Sequence, residues 1–360
     1  MNHPSLLNQV VLRFEAGFKK HRTDVSAVRF IVEDTKYLWL GSDETSTIER
    51  LSFVDTQTFA AQKQFRVADF IELPEPEDQE IDIEGIAYAA HYLWFVGSHS
   101  WKRKKPKPNK TDIENINRLA KISSEANRYI LGRIPLIKGE LYKTCQHPDY
   151  PDIQLNAAKL EVTKQGNLLM DALSTDPHLG YFVSAIIPGK DNGFDVEGIA
   201  VYQNRIFLGL RGPVLRGWAI LLEIELEAAN PTILKLKPLG EDKKFYKKHF
   251  VYLNGLGIRD LCLDGEDLLI LAGPTMDLDG PVRVYKLQSG VNLRENVLSQ
   301  PDMVLEIPYG NRDDHAEGMT LFTEVTGIPS LLVVYDSPAQ QRLKGEADVL
   351  ADVFKLSHSN

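Results

Sequence analysis

Three glutamates stand in nearly the same phrase. Asp82-Ile83-Glu84-Gly85-Ile86 recurs as Asp195-Val196-Glu197-Gly198-Ile199 and as His315-Ala316-Glu317-Gly318-Met319. Ser26 and Arg259 hold the matching place in two weaker copies, Asp24-Val25-Ser26-Ala27-Val28 and Gly257-Ile258-Arg259-Asp260-Leu261. If equivalent positions face one axis, three carboxylates share a narrow space. They repel unless a cation, protons or hydrogen bonds compensate them. A hard cation such as Ca²⁺ takes clustered oxygen donors at about 2.3–2.6 Å, which makes Glu84, Glu197, Glu317 and Ser26 candidate metal ligands. Arg259 offers an internal counter-charge instead. The third reading is structural: each glutamate accepts backbone hydrogen bonds, and the glycine after it permits close packing at the axis.

A second set of residues suits acid–base and anion chemistry. Asp82 and His315 open two of the repeated phrases, His99 follows the apolar run after the first, and all three are candidate proton donors or acceptors. Arg211 and Arg216 lie in Gly209-Leu210-Arg211-Gly212-Pro213-Val214-Leu215-Arg216-Gly217, a Gly/Pro-stiffened link. Arginine grips carboxylate or phosphate in a bidentate manner. With Lys190 and Asp195 these two form a candidate substrate-binding group for a small anionic molecule. The competing reading pairs the arginines with the neighbouring acids. The run Lys102, Arg103, Lys104, Lys105, Lys107 and Lys110 reads as a solvated loop, with attraction of a polyanion as its functional alternative. There is no Walker loop, no serine-nucleophile elbow and no zinc-type histidine pair, and His147, His178 and His249 show no metal-ligand spacing.

The elements that position these groups repeat with them. Each phrase is followed by a second apolar run: Tyr37-Leu38-Trp39-Leu40, Tyr92-Leu93-Trp94-Phe95, Ile206-Phe207-Leu208, Leu268-Leu269-Ile270 and Leu331-Leu332-Val333. The marker positions 26, 84, 197, 259 and 317 are spaced by 58, 113, 62 and 58 residues. A repeating unit of short strands at such a period predicts an all-β fold, a single β-propeller of four-stranded blades. Further strands are expected at Thr47 to Val54, Gln64 to Ile71, Val282 to Leu287 and Met303 to Pro308. Leu119 to Ser123 and Tyr129 to Ile137 are expected to finish the second blade. The doubled gap then reads as a helical insertion around 139–194, centred on Leu168, Leu169, Ala172 and Leu173, which gives five blades. If Leu160-Glu161-Val162 is a hidden inner strand, the ring has six. Val10 to Phe14 is expected to pair with Ala347 to Leu356, so that the N- and C-terminal strands close the ring and leave no open edge. Inner-strand starts and second-strand ends then meet at one mouth.

Composition agrees. The 360 residues are 43% hydrophobic and 25% charged, with a net charge of −9, which suits a globular protein and argues against nucleic acid as a partner. No apolar run is long enough for a membrane span, and Met1-Asn2-His3-Pro4-Ser5 does not read as a secretory signal. The two cysteines, Cys145 and Cys262, make no disulfide framework, so a cytoplasmic location is expected.

The run Pro188-Gly189-Lys190-Asp191-Asn192-Gly193-Phe194-Asp195-Val196-Glu197-Gly198, continuing into Gly209-Leu210-Arg211-Gly212-Pro213, resembles an uncharacterised bacterial β-propeller family (domain of unknown function 3616) over nearly the whole chain. The resemblance implies a propeller and brings no activity. The Glu-Gly-Ile phrase is also similar to phytase-like and esterase-like propellers. Ser26, Glu84, Glu197 and Glu317 resemble the axial Ca²⁺ ring of calcium-activated nucleotidases, from which Arg259 departs. Two functions remain open: a hydrolase of a small phosphorylated or carboxylated substrate, with or without a metal, and a non-catalytic ligand- or partner-binding propeller.

Overall fold

The computed structural model describes residues 5–17, 21–239, 243–310 and 312–356. Its strands fall into antiparallel four-stranded groups, each led by one of the repeated phrases. The first group is Val25–Val32, Lys36–Ser42, Thr47–Asp55 and Thr58–Arg66. The second is Ile83–Ala89, Tyr92–Gly97, Leu131–Ile137 and Ala158–Leu160. The third is Asp195–Tyr202, Arg205–Gly212, Trp218–Asn230 and Lys247–Tyr252, and the far half of the long third strand turns back into Ile233–Lys237. The fourth is Gly257–Asp264, Asp267–Gly273, Val282–Leu287 and Asp302–Ile307. The last is His315–Leu321, Ser330–Asp336 and Asp348–Lys355, completed by Leu6–Arg13 from the other end of the chain. Each leading strand packs on the next, and the last packs on the first, so the five enclose an axis.

The core lies between blades rather than within them. Trp39, Ile48, Phe65, Ile86, Phe95 and Ile134 fill the gap between the first and second groups. Val96, Ile199, Leu208 and Leu222 fill the next, and equivalent clusters occupy the other three gaps. Strands apolar on both faces are what this arrangement needs, because each blade is covered on both sides. The inter-blade fit is close at the repeated glycines. A Cβ on Gly198 would sit 2.9 Å from Leu261 Cγ and 3.0 Å from Leu261 N, and one on Gly85 would meet Ile199 at the same distances.

Several expected boundaries move. The fourth strand of the first blade is Thr58–Arg66 rather than 64–71, because the chain turns tightly after Asp55. Leu119 to Ser123 does not finish the second blade: Asp112–Leu119 is a helix and Ile122–Ser123 pairs with Lys102–Arg103 in a small ribbon. The blade is finished by Ala158–Leu160, so Leu160 lies on its outermost strand and not on an inner one. The stretch 139–194 is therefore only partly helical. It contributes this strand and a hairpin, Thr144–Gln146 with Gln154–Asn156, before the helices Leu168–Leu173 and Gly180–Ser184. Outer strands of neighbouring blades also pair in parallel, Lys159 and Leu160 with Ile233 and Leu234, and Val11 and Leu12 with Thr58 and Phe59.

Candidate functional site

The repeated phrase owes its geometry to a β-bulge. In all five inner hairpins the ladder skips the marker residue. Ile83 pairs with Gly97 and Gly85 with Val96, leaving Glu84 over. Glu197, Arg259, Glu317 and Ser26 are left over in the same way. An extra residue breaks the alternation of faces and re-aims a side chain. Here it gathers these residues at one mouth of the axial channel.

The ring compensates much of its own charge. Arg211 Nη1 pairs with Glu197 and its Nη2 with Asp195. Arg259 Nη1 lies 2.7 Å from Glu317 Oε1 and 3.3 Å from Glu197 Oε2. Ser26 donates its hydroxyl to the carbonyl of Ile83. Arg128, in the turn Ala126–Tyr129, pairs with Asp82 and reaches Glu80 at 2.9 Å. Arg128 belongs to no repeat, so nothing in the sequence pattern points to it. These contacts do not suit the expected Ca²⁺ ring. Arg259 holds the position between Glu197 and Glu317 that a cation would take. Among the described residues, three side chains whose ligand atoms lie within 4.8 Å of one another are His91, His147 and Asp149, at the opposite face. His147 Nδ1 accepts from the backbone N–H of Asp149 and Tyr150, which leaves its ring proton on Nε2 and makes it a poor ligand.

Three charged groups escape this pairing among the described residues: Glu84, Lys190 and Asp43, whose buried Oδ1 has no hydrogen-bond partner. Glu84 makes no hydrogen bond or ion pair among the described residues, although it is only 9% exposed. Burial, and then Asp82, Glu197, Glu317 and Asp43, hold its carboxyl well above the usual range. Lys190, on the Pro188–Gly193 turn, also has no direct partner among the described residues. Burial and Arg211 push its amine down, but Glu317, Asp43 and Asp336 outweigh them and raise it. Lys190 stands inside the mouth yet reaches solvent. Asp43 and Glu317 influence both groups and so connect them. Burial pushes Asp336 up to about 7, with Glu317 adding and Lys190 opposing. Burial likewise takes Glu197 to about 7 against Arg211 and Arg259, and Asp82 to about 6 against Arg128.

The other expected residues separate. His315 lines the cleft with Lys190, Arg211, Arg259 and Glu317, and it pairs across its hairpin with Asp336. His99 is 1% exposed, donates from Nδ1 to the Gly97 carbonyl and accepts at Nε2 from Asn167 Nδ2, both at 2.7 Å. Burial drives it down to about 4. It stays neutral and joins the helical insertion to the second blade, so it has no nitrogen left for acid–base work. Arg216 is exposed in the tight Leu215–Trp218 turn and does not line the cleft. Asp195 is consumed by Arg211. The basic run is ordered rather than free: Lys102 pairs with Glu80 and Glu125, Arg103 with Asp191, and Lys110 with Glu114. Positive φ at Asp82, His99, Asn192 and Asp314 places left-handed residues around the same mouth. These residue types adopt that conformation most readily.

Residues 24–352 match the family described as "Protein of unknown function (DUF3616)". The chain belongs to this family. No curated protein matches it. Among solved structures it is similar to an exo-1,5-α-L-arabinanase from a bovine ruminal metagenomic library, at 11% identity and TM-score 0.39, covering 96% of this chain and all of that one (100%). It is also similar to the Pan2 WD40 domain of Neurospora crassa, at 12% identity and TM-score 0.36, covering 92% of this chain and 81% of that one. The aldose sugar dehydrogenase of Streptomyces coelicolor matches at 12% identity and TM-score 0.36, over 97% of this chain and 99% of that one. Enzymes and a non-enzyme stand side by side in this set, and at such likeness none of them says what this family member does.

Proposed function

We propose that this protein is a hydrolase of a small anionic substrate and that it works at the acid-lined mouth. The observation that carries the reading is one cation, Lys190, left without a direct partner there among the described residues, together with the acids Glu84 and Asp43, of which Glu84 is the buried one on the axis. Lys190 receives the substrate's phosphate or carboxylate. This role passes to it from Arg211, whose guanidinium is already held on both sides. Glu84 is held protonated by burial and by its acidic neighbours, which is the state a general acid needs at neutral pH. Asp336, raised to about 7, is the matching base. In the reaction the bond from the acyl carbon or phosphorus to the leaving oxygen breaks. Water adds to that centre, its proton passes to Asp336, and the proton of Glu84 passes to the leaving oxygen. No metal takes part in this scheme, because the arginines supply the counter-charge within the ring.

The test is a turnover screen with phosphomonoesters, carboxylate-bearing esters and carboxylate-bearing lactones. Glu84→Gln is expected to lower kcat by roughly 10²–10⁴-fold. Lys190→Met is expected to raise KM by about 10–100-fold, the loss of one charge-assisted hydrogen bond. Binding of such anions without turnover would leave a non-catalytic binding propeller and remove the hydrolase. Full activity in Glu84→Gln would remove the assigned acid.

A further inference from the structure

The axial channel has a second end. Away from the mouth, the five inner strands enclose a cavity of about 320 Å³, within the size range of small-molecule sites. Its wall is mostly apolar, with Phe30, Ala87, Ile199, Val201, Leu261 and Leu263, and carries the hydroxyl side chains of Tyr88, Thr320 and Thr323 as well. One cation lines it. Arg29 crosses the channel from the first blade, donating from Nε to the Ile86 carbonyl and from Nη2 to the Leu261 carbonyl, both at 2.9 Å.

A guanidinium carries five N–H donors, and these bonds use two. The Cys262 sulfur also interacts with the guanidinium, and no other protein oxygen accepts from Arg29 among the described residues, so donors remain over. Asp260 Oδ1 lies 3.8 Å from Nη2, beyond hydrogen-bond reach. The Asp260 carboxylate is taken by the backbone N–H groups of Leu261 at 2.7 Å and Met319 at 2.8 Å. The Thr320 hydroxyl is engaged by the N–H of Phe30. The side chain of Arg29 is only 11% exposed, so its spare donors meet cavity rather than bulk water. Spare donors with a positive charge, surrounded by mostly apolar wall, match one kind of ligand. An amine meets repulsion at Arg29, and a neutral alcohol gains little from its charge. A carboxylate accepts two N–H bonds side by side.

We propose that this cavity is a second binding site, for a small monocarboxylate with an apolar tail: the carboxylate on Arg29, the tail against Ile199, Val201 and Leu263. Glu324 stands at the rim, exposed to solvent that screens its charge. The site is independent of the mouth and of any reaction there.

Octanoate, 1-octanol and octylamine are suitable probes, measured by calorimetry on the full chain. Octanoate is expected to bind at least ten-fold more tightly than 1-octanol, and octylamine weakest. Arg29→Met should bring octanoate and 1-octanol to equal affinity. Val201→Phe, which leaves Arg29 in place and fills the wall, should weaken both, and it keeps the test available if Arg29→Met does not fold. Cys262 lines the cavity, so in a Cys145→Ser background octanoate should slow its alkylation by iodoacetamide. Lys190→Met should leave octanoate binding unchanged. The proposal is overturned if octanoate binds no better than 1-octanol, if its advantage survives Arg29→Met, if Cys262 is not protected, or if Lys190→Met abolishes binding.

Discussion

The two ends of the axial channel are made by the same five strands and have opposite chemistry. At the mouth, Asp43, Asp82, Glu84, Asp195, Glu197, Glu317 and Asp336 outnumber Arg128, Lys190, Arg211 and Arg259. At the far end one arginine stands among aliphatic and aromatic side chains. The difference begins at the bulge. Where each inner strand starts, the extra residue turns towards the axis and is polar or charged in all five blades. Beyond it the ladder pairs regularly, and the apolar residues needed between blades also line the channel. The three axial glutamates therefore come from one repeated irregularity, and their charge persists because arginines around them offset much of it.

The largest effect should come from removing an offset. Arg211→Met leaves Asp195 buried without its cation and Glu197 with Arg259 alone, which should cost about 3–5 kcal/mol in denaturant unfolding at neutral pH. The loss should shrink towards pH 5, because Glu197, raised to about 7 by burial, can then take up a proton. An unchanged midpoint would show that the mouth does not depend on internal pairing.

A smaller cost is expected where the bulged strands touch. Gly198→Ala pushes a methyl group onto the Leu261 backbone and should destabilise by about 1–3 kcal/mol, with no change in which anions bind. Wild-type stability would mean that the blades part more easily than their packing suggests.

Glu84 should show a pH signature. Its carboxyl is raised in the folded state, so the folded protein holds this proton where the unfolded chain has lost it. The group therefore favours folding least at high pH: its contribution falls as pH climbs from the ordinary glutamate range towards the raised value. Glu84→Gln should melt higher than wild type at pH 8, and the gap should close towards pH 4. A gap that widens on acidification would mean that Glu84 is ionised in the folded protein. The smallest effect belongs to Arg216→Ala, expected within about 0.5 kcal/mol of wild type and with unchanged anion binding. A strong loss of binding there would move the anion site from Lys190 to the Leu215–Trp218 turn.

Much of this molecule is legible in its sequence. The copies around Glu84, Glu197 and Glu317 marked the inner strands, and the orphan apolar runs near each end of the chain marked the closing pair, now Leu6–Arg13 with Asp348–Lys355. Gathering the marker residues at one mouth followed from their equivalence. The bulge did not show, because one skipped residue leaves no trace in a pattern of apolar runs. Ala158–Leu160 was also hidden: three residues in a loop-rich stretch carry no period, and the strand exists because the edge of Leu131–Ile137 is there to pair with.

The sequence by itself determined the repeat, the strand class and which residue types meet at the axis, because these depend on local patterns copied along the chain. Only the tertiary structure decided which of those residues remain available. Arg211 and Asp195 read as binding groups until their side chains were found in contact with each other, and His99 read as a base until Gly97 and Asn167 took both of its nitrogens. Lys190 and Glu84 stand out for the opposite reason. A partner is a matter of a few ångströms between segments far apart in the chain, and no spacing along the sequence encodes that distance.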